Sequence, residues 1–172
     1  SQPFHWSKPR RIFVCSTSDL FHNKVPWEFI AHVFDVMAAC PQHSFQLLTK
    51  RPGRMAYFAK DIWSDYFGRE WPQNCWAGTS VENQKYARRL DCLLRVPAKV
   101  RFVSVEPLLG PVDLAPWLYS TGNSPYESLS EFDAPAIPRC IDWAIVGGES
   151  GPGARPMDLA WATSLRNQCA AA

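Results

Sequence analysis

Two near-identical tetrapeptides carry a serine and a glutamate two positions apart, Thr79-Ser80-Val81-Glu82 and Val103-Ser104-Val105-Glu106. Side chains two apart in an extended chain face the same way. Ser80 therefore points with Glu82, and Ser104 with Glu106. Carboxylates gathered near a cation can serve as a general base, a metal ligand or a hydrogen-bond anchor. A cation is available in Lys50-Arg51-Pro52-Gly53-Arg54, a basic turn suited to a phosphate or to solvent. Glu82, Glu106 and Lys50 are the candidate catalytic groups. Arg51, Ser80 and Ser104 are candidate ligand contacts, as are Ser16, Asp19 and His22, which follow an apolar run ending at Cys15. The competing structural roles are Glu82 as cap of a helix starting near Asn83, and Glu106 as partner of a basic neighbour.

Gly147-Gly148-Glu149-Ser150-Gly151-Pro152-Gly153 is a glycine-rich turn after another apolar run. Such a turn brings backbone N–H groups close to a ligand and can form an anion nest. It matches neither the dinucleotide fingerprint nor the Walker loop. Arg155, just beyond, offers a planar fork for a carboxylate or phosphate. Gly147, Gly148, Glu149 and Arg155 complete the candidate ligand set.

These residues all follow short β-rich runs, and that placement dictates the fold. The runs are Arg11 to Cys15, Ser44 to Thr49, Cys75 to Thr79, Val100 to Val105 and Ile141 to Val146. Between them lie stretches with helical periodicity. Pro26 opens one in which Trp27, Ile30, Val33, Phe34, Met37 and Ala38 share a face, and Pro41 ends it. A second covers Arg54 to about Phe67. A third puts Tyr86, Leu90, Leu93 and Leu94 inside and Arg88, Arg89 and Asp91 outside. A last one starts at Asp158, a suitable N-cap. Leu108 to Arg139 is Pro- and Ser-rich without periodicity, which predicts a lid or insertion at about 108–140 with a short helix near Asp113 to Tyr119. Apolar strands alternating with amphipathic helices predict one α/β domain with a parallel sheet. The architecture is either a partial TIM-like barrel of about five strands or an open doubly wound sheet. In both, functional residues collect at the C-terminal strand ends.

Composition sets the outer limits. The 172 residues are 47% hydrophobic and carry a net charge of +2, enough for one core and neutral as to nucleic acid. Eight Trp and ten Phe predict an aromatic core. The six cysteines include no C-x-x-C pair, which argues against a zinc or iron–sulfur site built within the chain. No run reaches membrane-spanning length and no signal peptide is evident, so the expectation is a cytoplasmic protein with reduced thiols. The terminal Cys169-Ala170-Ala171-Ala172 formally fits a prenylation box, but a helix cut short explains it better.

The runs FVCSTSDLFH, FQLLTKRPGRM, WAGTSVEN, VRFVSVEPLLGPVDL and IDWAIVGGESGPGARPM resemble a family of phage and prophage proteins of unassigned function. That family is distantly similar to radical-SAM enzymes, spore photoproduct lyase among them. The resemblance spans about Lys8 to Cys169. It implies a longer protein with an N-terminal cysteine motif holding a [4Fe–4S] cluster that cleaves S-adenosylmethionine. No such motif stands in this sequence, so the chain reads as an internal fragment that holds neither cofactor alone. Radical-SAM enzymes often carry a Gly-Gly-Glu motif that contacts the methionine amine, but it lies early, soon after the cluster loop; Gly147-Gly148-Glu149 follows the last strand here, so that role is not carried over.

Three functions are open on these grounds. The first is a radical-SAM-like phage protein of which this is the central barrel portion. The second is a non-catalytic module binding a host protein or nucleic acid. The third is a hydrolase holding Mg²⁺ or Mn²⁺ through Asp19, Glu82, Glu106 and Glu149. Five strands too few to close a barrel further predict self-association through unpaired sheet edges.

Overall fold

The computed structural model describes residues 2–118 and 140–172. In chain order its main elements are β1 (Arg11–Val14), α1 (Trp27–Ala38), β2 (Ser44–Thr49), α2 (Pro52–Tyr57), β3 (Cys75–Ser80), α3 (Arg89–Leu93), β4 (Arg101–Val105), α4 (Ala115–Leu118), β5 (Trp143–Val146) and α5 (Leu159–Ala171). The five strands form one sheet in the order β1-β2-β3-β4-β5, every pair parallel. The sheet is open and does not close into a barrel. The predicted strands are all present, β2 with the expected bounds and the others with one end shifted by one or two residues.

Strand order equal to chain order has a physical consequence. Parallel crossovers are right-handed, so successive crossovers in the same direction lay their helices on the same face. The core obeys this. Phe45 and Leu47 of β2, Cys75 and Ala77 of β3, and Val103 and Val105 of β4 share one cluster with Ile30, Phe34, Met37, Met55, Leu90, Leu93, Trp117 and Leu165 from the helices. Cys75 touches α1 directly, its Sγ lying 3.8 Å from Met37 Sδ. The aromatic-core expectation holds here: the Phe34 ring stands 4.9 Å from Phe58, 5.3 Å from Trp63 and 4.8 Å from Trp71.

The alternate residues occupy the other face, which none of the described helices covers. Across it the register aligns Phe13 with Gln46 and Trp76, then Leu48 with Gly78, Phe102 and Trp143. None of these belongs to the helix-side core. Phe102 is nonetheless fully buried. Its ring lies over Gly78, with Trp143 tilted against it at 5.6 Å, and Trp143 meets Trp76 edge-on at 6.0 Å. Phe13 and Trp143, on the two edge strands, stay about two-fifths exposed.

Helix boundaries follow local chemistry. Pro52 begins α2 in its first turn, two residues before the predicted start, and the helix then widens into a π-helical stretch, Phe58–Ser64. Asp158 caps α5 as predicted, its Oδ1 accepting from Ala160 N at 2.8 Å. The predicted lid divides: residues 119–139 lie outside the described ones, but 108–118 are firmly packed rather than lid-like. Leu108, Val112, Leu114 and Trp117 are buried. Gln168 of α5 accepts from Leu114 N and donates to Val112 O, and Trp117 Nε1 donates to Asp91 at 2.7 Å.

A methyl group at position 78 would lie 2.4 Å from the Phe102 ring. Gly78→Ala therefore forces Phe102 and Trp143 to move and is expected to destabilise by about 1–3 kcal/mol. Urea denaturation checks this, and adding Phe102→Leu to Gly78→Ala should recover part of the loss.

Candidate functional site

The C-terminal ends of β1, β2 and β3 are joined by hydrogen bonds and ion pairs. After β1, Cys15 adopts a left-handed conformation (φ 58°), a cost of about 1 kcal/mol for a side-chain-bearing residue. The chain turns there, Ser18 N donating to Cys15 O, and brings Asp19 back to the rim. Asp19 accepts from Thr49 Oγ1 at 2.7 Å, from Arg51 Nη1 at 2.8 Å and from its own loop at Phe21 N. Lys50 N approaches it at 3.3 Å. Asp19 and Arg51, both candidates, thus hold the exits of β1 and β2 together. Thr49, which is not among the candidate site residues, is the centre of that joint: its hydroxyl also accepts from Arg51 N, and its carbonyl accepts from Thr79 Oγ1 of β3.

Glu82 sits one strand further on, 7% exposed. Lys50 Nζ lies 2.7 Å from its Oε1 and Arg89 Nη1 3.0 Å from its Oε2. Burial resists its ionisation, but the hydrogen bond from Lys50 and the charges of Lys50 and Arg89 outweigh that, so the carboxyl lies below its usual range. Glu82 does not cap a helix. Asn83 takes that place, its Oδ1 accepting from Lys85 N. Arg89, expected to face outward, turns back to the rim, donating also to Ser80 O at 2.8 Å while its guanidinium lies 4.2 Å from the Tyr86 ring centre. A short 3₁₀ turn, Gln84–Tyr86, precedes α3 and breaks the regular period that placed Arg89 outside.

The repeated Ser-Val-Glu is one solution in two settings. Ser80 and Ser104 are register partners, and Val81 N donates to Ser104 O. Both valines enter the core and both serines are buried. The glutamates differ: Glu106 is exposed, and among the described residues it forms no ion pair. The neighbour decides. Glu82 adjoins Lys50 after β2, whereas Glu106 adjoins Gly147 after β5, where a Cβ would lie 2.7 Å from Glu106 Oε1.

The glycine-rich turn holds an anion, but the anion is its own. Glu149 Oε2 accepts from Arg155 N and Nε at 2.8 Å, and Oε1 from Arg155 Nη2 at 2.6 Å. Hydrogen bonding from Arg155 brings the Glu149 carboxyl down to about 2. Gly148 packs near Met157, with a Cβ there 3.4 Å from Met157 Cβ. Two candidates stay apart from the network. Ser16 is exposed in the turn after Cys15, and His22 Nδ1 accepts from Lys24 N within its own loop. A cavity of about 610 Å³ lies at the opposite strand ends, beside Ser44, Asn74, Trp76 and Lys99, where no candidate residue sits.

The cluster implied by the family resemblance requires three converging thiolates. The six thiols are free and dispersed, with Cys40 and Cys75 buried. Burial pushes the Cys75 thiol up to about 12, so it stays protonated. Among the described residues no three Cys, His, Asp or Glu side chains come together to hold a metal ion. These residues do not fit an iron–sulfur cluster, and the rim carboxylates do not form a divalent-cation cage.

Fold and rim together define an open, all-parallel α/β sheet whose first three strand exits are tied by ion pairs. The chain belongs to the DUF5131 family, proteins of unknown function, whose family model matches residues 1–172. No curated protein and no solved structure matches it. No helix among the described residues is long and apolar enough to cross a membrane.

The lowered pKa of Glu82 fixes the sign of an acid effect. Unfolded, its carboxyl titrates near ~4.3; folded, it titrates lower, so the unfolded chain gains the proton first as pH falls. Its stabilisation is complete above the unfolded value and is lost as pH drops through the folded one. Glu82→Gln is therefore expected to be less stable than wild type at neutral pH, with the difference shrinking in acid. Urea midpoints across this range check it, and a gap that stays constant contradicts the ion-pair assignment.

Proposed function

We propose that this chain is the central (β/α) portion of a radical-SAM-like protein, binding its ligand along the open sheet face and the C-terminal rim. The observation that carries this reading is the five-stranded, all-parallel sheet laid down in chain order with one face free of the described helices. That is the arrangement of an arc cut from a barrel, in which ligands sit at the C-terminal strand ends. The long runs that carry the family resemblance, which include all five strand exits, add support. Lys50 and Glu82 set the field at one side of the rim, and Ser80, Ser104 and Glu106 offer hydrogen-bonding groups beside it. In this reading the cluster, which would supply the radical chemistry, is held by residues other than those described. The protein works in the cytoplasm as a phage or prophage product, with a nucleic acid or a host protein as its partner and self-association through the β1 and β5 edges.

The dispersed thiols favour a second reading, a barrel-like module that binds without catalysis. One experiment separates the two. Anaerobic reconstitution of the complete gene product with iron and sulfide is expected to give brown protein that releases 5′-deoxyadenosine from S-adenosylmethionine under reducing conditions. Colourless protein without cleavage overturns the enzyme, and salt-dependent retention of DNA or RNA then supports the nucleic-acid module.

A further inference from the structure

Asp19, Glu82 and Glu149 are each neutralised by an arginine or lysine of this chain. Glu106 is exposed and has no such partner among the described residues. Its carboxylate leans over Gly147, so close that a Cβ there would stand 2.7 Å from Oε1 and 3.0 Å from Cδ. It is thereby carried towards β5 and away from Lys50 and Arg89, which gather on the β3 side around Glu82.

The open face beneath Glu106 is layered. Ser104 comes first, aligned with Ser80 and with Ile145 of β5; Phe102 and Trp143 follow. Trp143 leaves 40% of its surface exposed. At about 3.3 Å per residue the Trp143 layer lies roughly 13 Å below Glu106, the length of a small extended molecule. Among the described residues no three Cys, His, Asp or Glu side chains gather to hold a metal ion, so Glu106 suits a hydrogen-bonding organic cation better than a divalent metal, which needs several oxygen ligands. A carboxylate at the edge of an apolar wall also binds such a cation more strongly than it would in open water.

We infer that Glu106 anchors the ammonium or amidinium group of a ligand whose flat apolar body lies against Trp143. This names the ligand class for the open-face site proposed above, and rests on that face being the binding face.

Three probes that differ only at one end test it: phenylbutylamine, phenylbutanol and phenylbutyrate, titrated calorimetrically into the full chain. The amine is expected to bind about tenfold tighter than the alcohol, and the butyrate to bind weakest. Glu106→Gln, an isosteric change at an exposed position, should bring the amine to the level of the alcohol, and Trp143→Leu should weaken both. Thermal melts establish that each variant is folded. Equal affinity for amine and alcohol, an amine preference that survives Glu106→Gln, or no saturation by the amine overturns the inference. None of these readouts involves iron or S-adenosylmethionine. A colourless, inactive gene product that still selects the amine overturns the radical-SAM reading and leaves the Glu106 site standing.

Discussion

Five parallel strands laid down in chain order leave their crossovers little choice of side. Each right-handed connection continues in the direction of the last, and the helices accumulate on one face. That constraint sorts almost every apolar residue of the sheet. Even-numbered positions of β1 and odd-numbered positions of β2 to β4 go to the helices, where Phe34, Phe58 and Trp63 pack over them. The alternate positions remain, and there Phe102, Trp76 and Trp143 cover one another instead. The small residue at position 78 is what lets Phe102 lie flat enough to be fully buried on a face without helices.

The fold was largely legible because its signals are local. Short apolar runs closed by Ser, Asp or Gly gave the strands, Pro26 and Asp158 marked two helix starts, and alternation alone implied a parallel sheet. Less legible was anything that depends on which residues lie side by side. The stretch after β4 lacks periodicity and reads as a lid. Its described part is packed because Gln168, more than fifty positions away in sequence, bonds to its backbone on both sides.

The rim shows the same division. Its candidates were found from their position after strands, and the ion pairs Lys50–Glu82 and Arg51–Asp19 do bring four of them together. Thr49 was missed because a threonine ending a strand looks like any other β-former. Only the neighbouring loop shows that its hydroxyl links Asp19 to Arg51. Arg89 was missed because one 3₁₀ turn shifts the helical phase. Glu149 and Arg155 read from the sequence as ligand contacts, whereas in the structure they bind each other. Two copies of Ser-Val-Glu had to be read alike from sequence, although one glutamate is neutralised and the other is not.

The closeness of Glu106 to Gly147 has a further consequence, for the room the carboxylate is given. The two positions lie forty-one residues apart but share one volume, since any Cβ at 147 would collide with the carboxylate of 106. A side chain at 147 would require the Glu106 carboxylate, the far end of a flexible exposed side chain, to swing aside. The bare backbone at 147 thus leaves room for the direction the Glu106 carboxylate takes, over the end of β5.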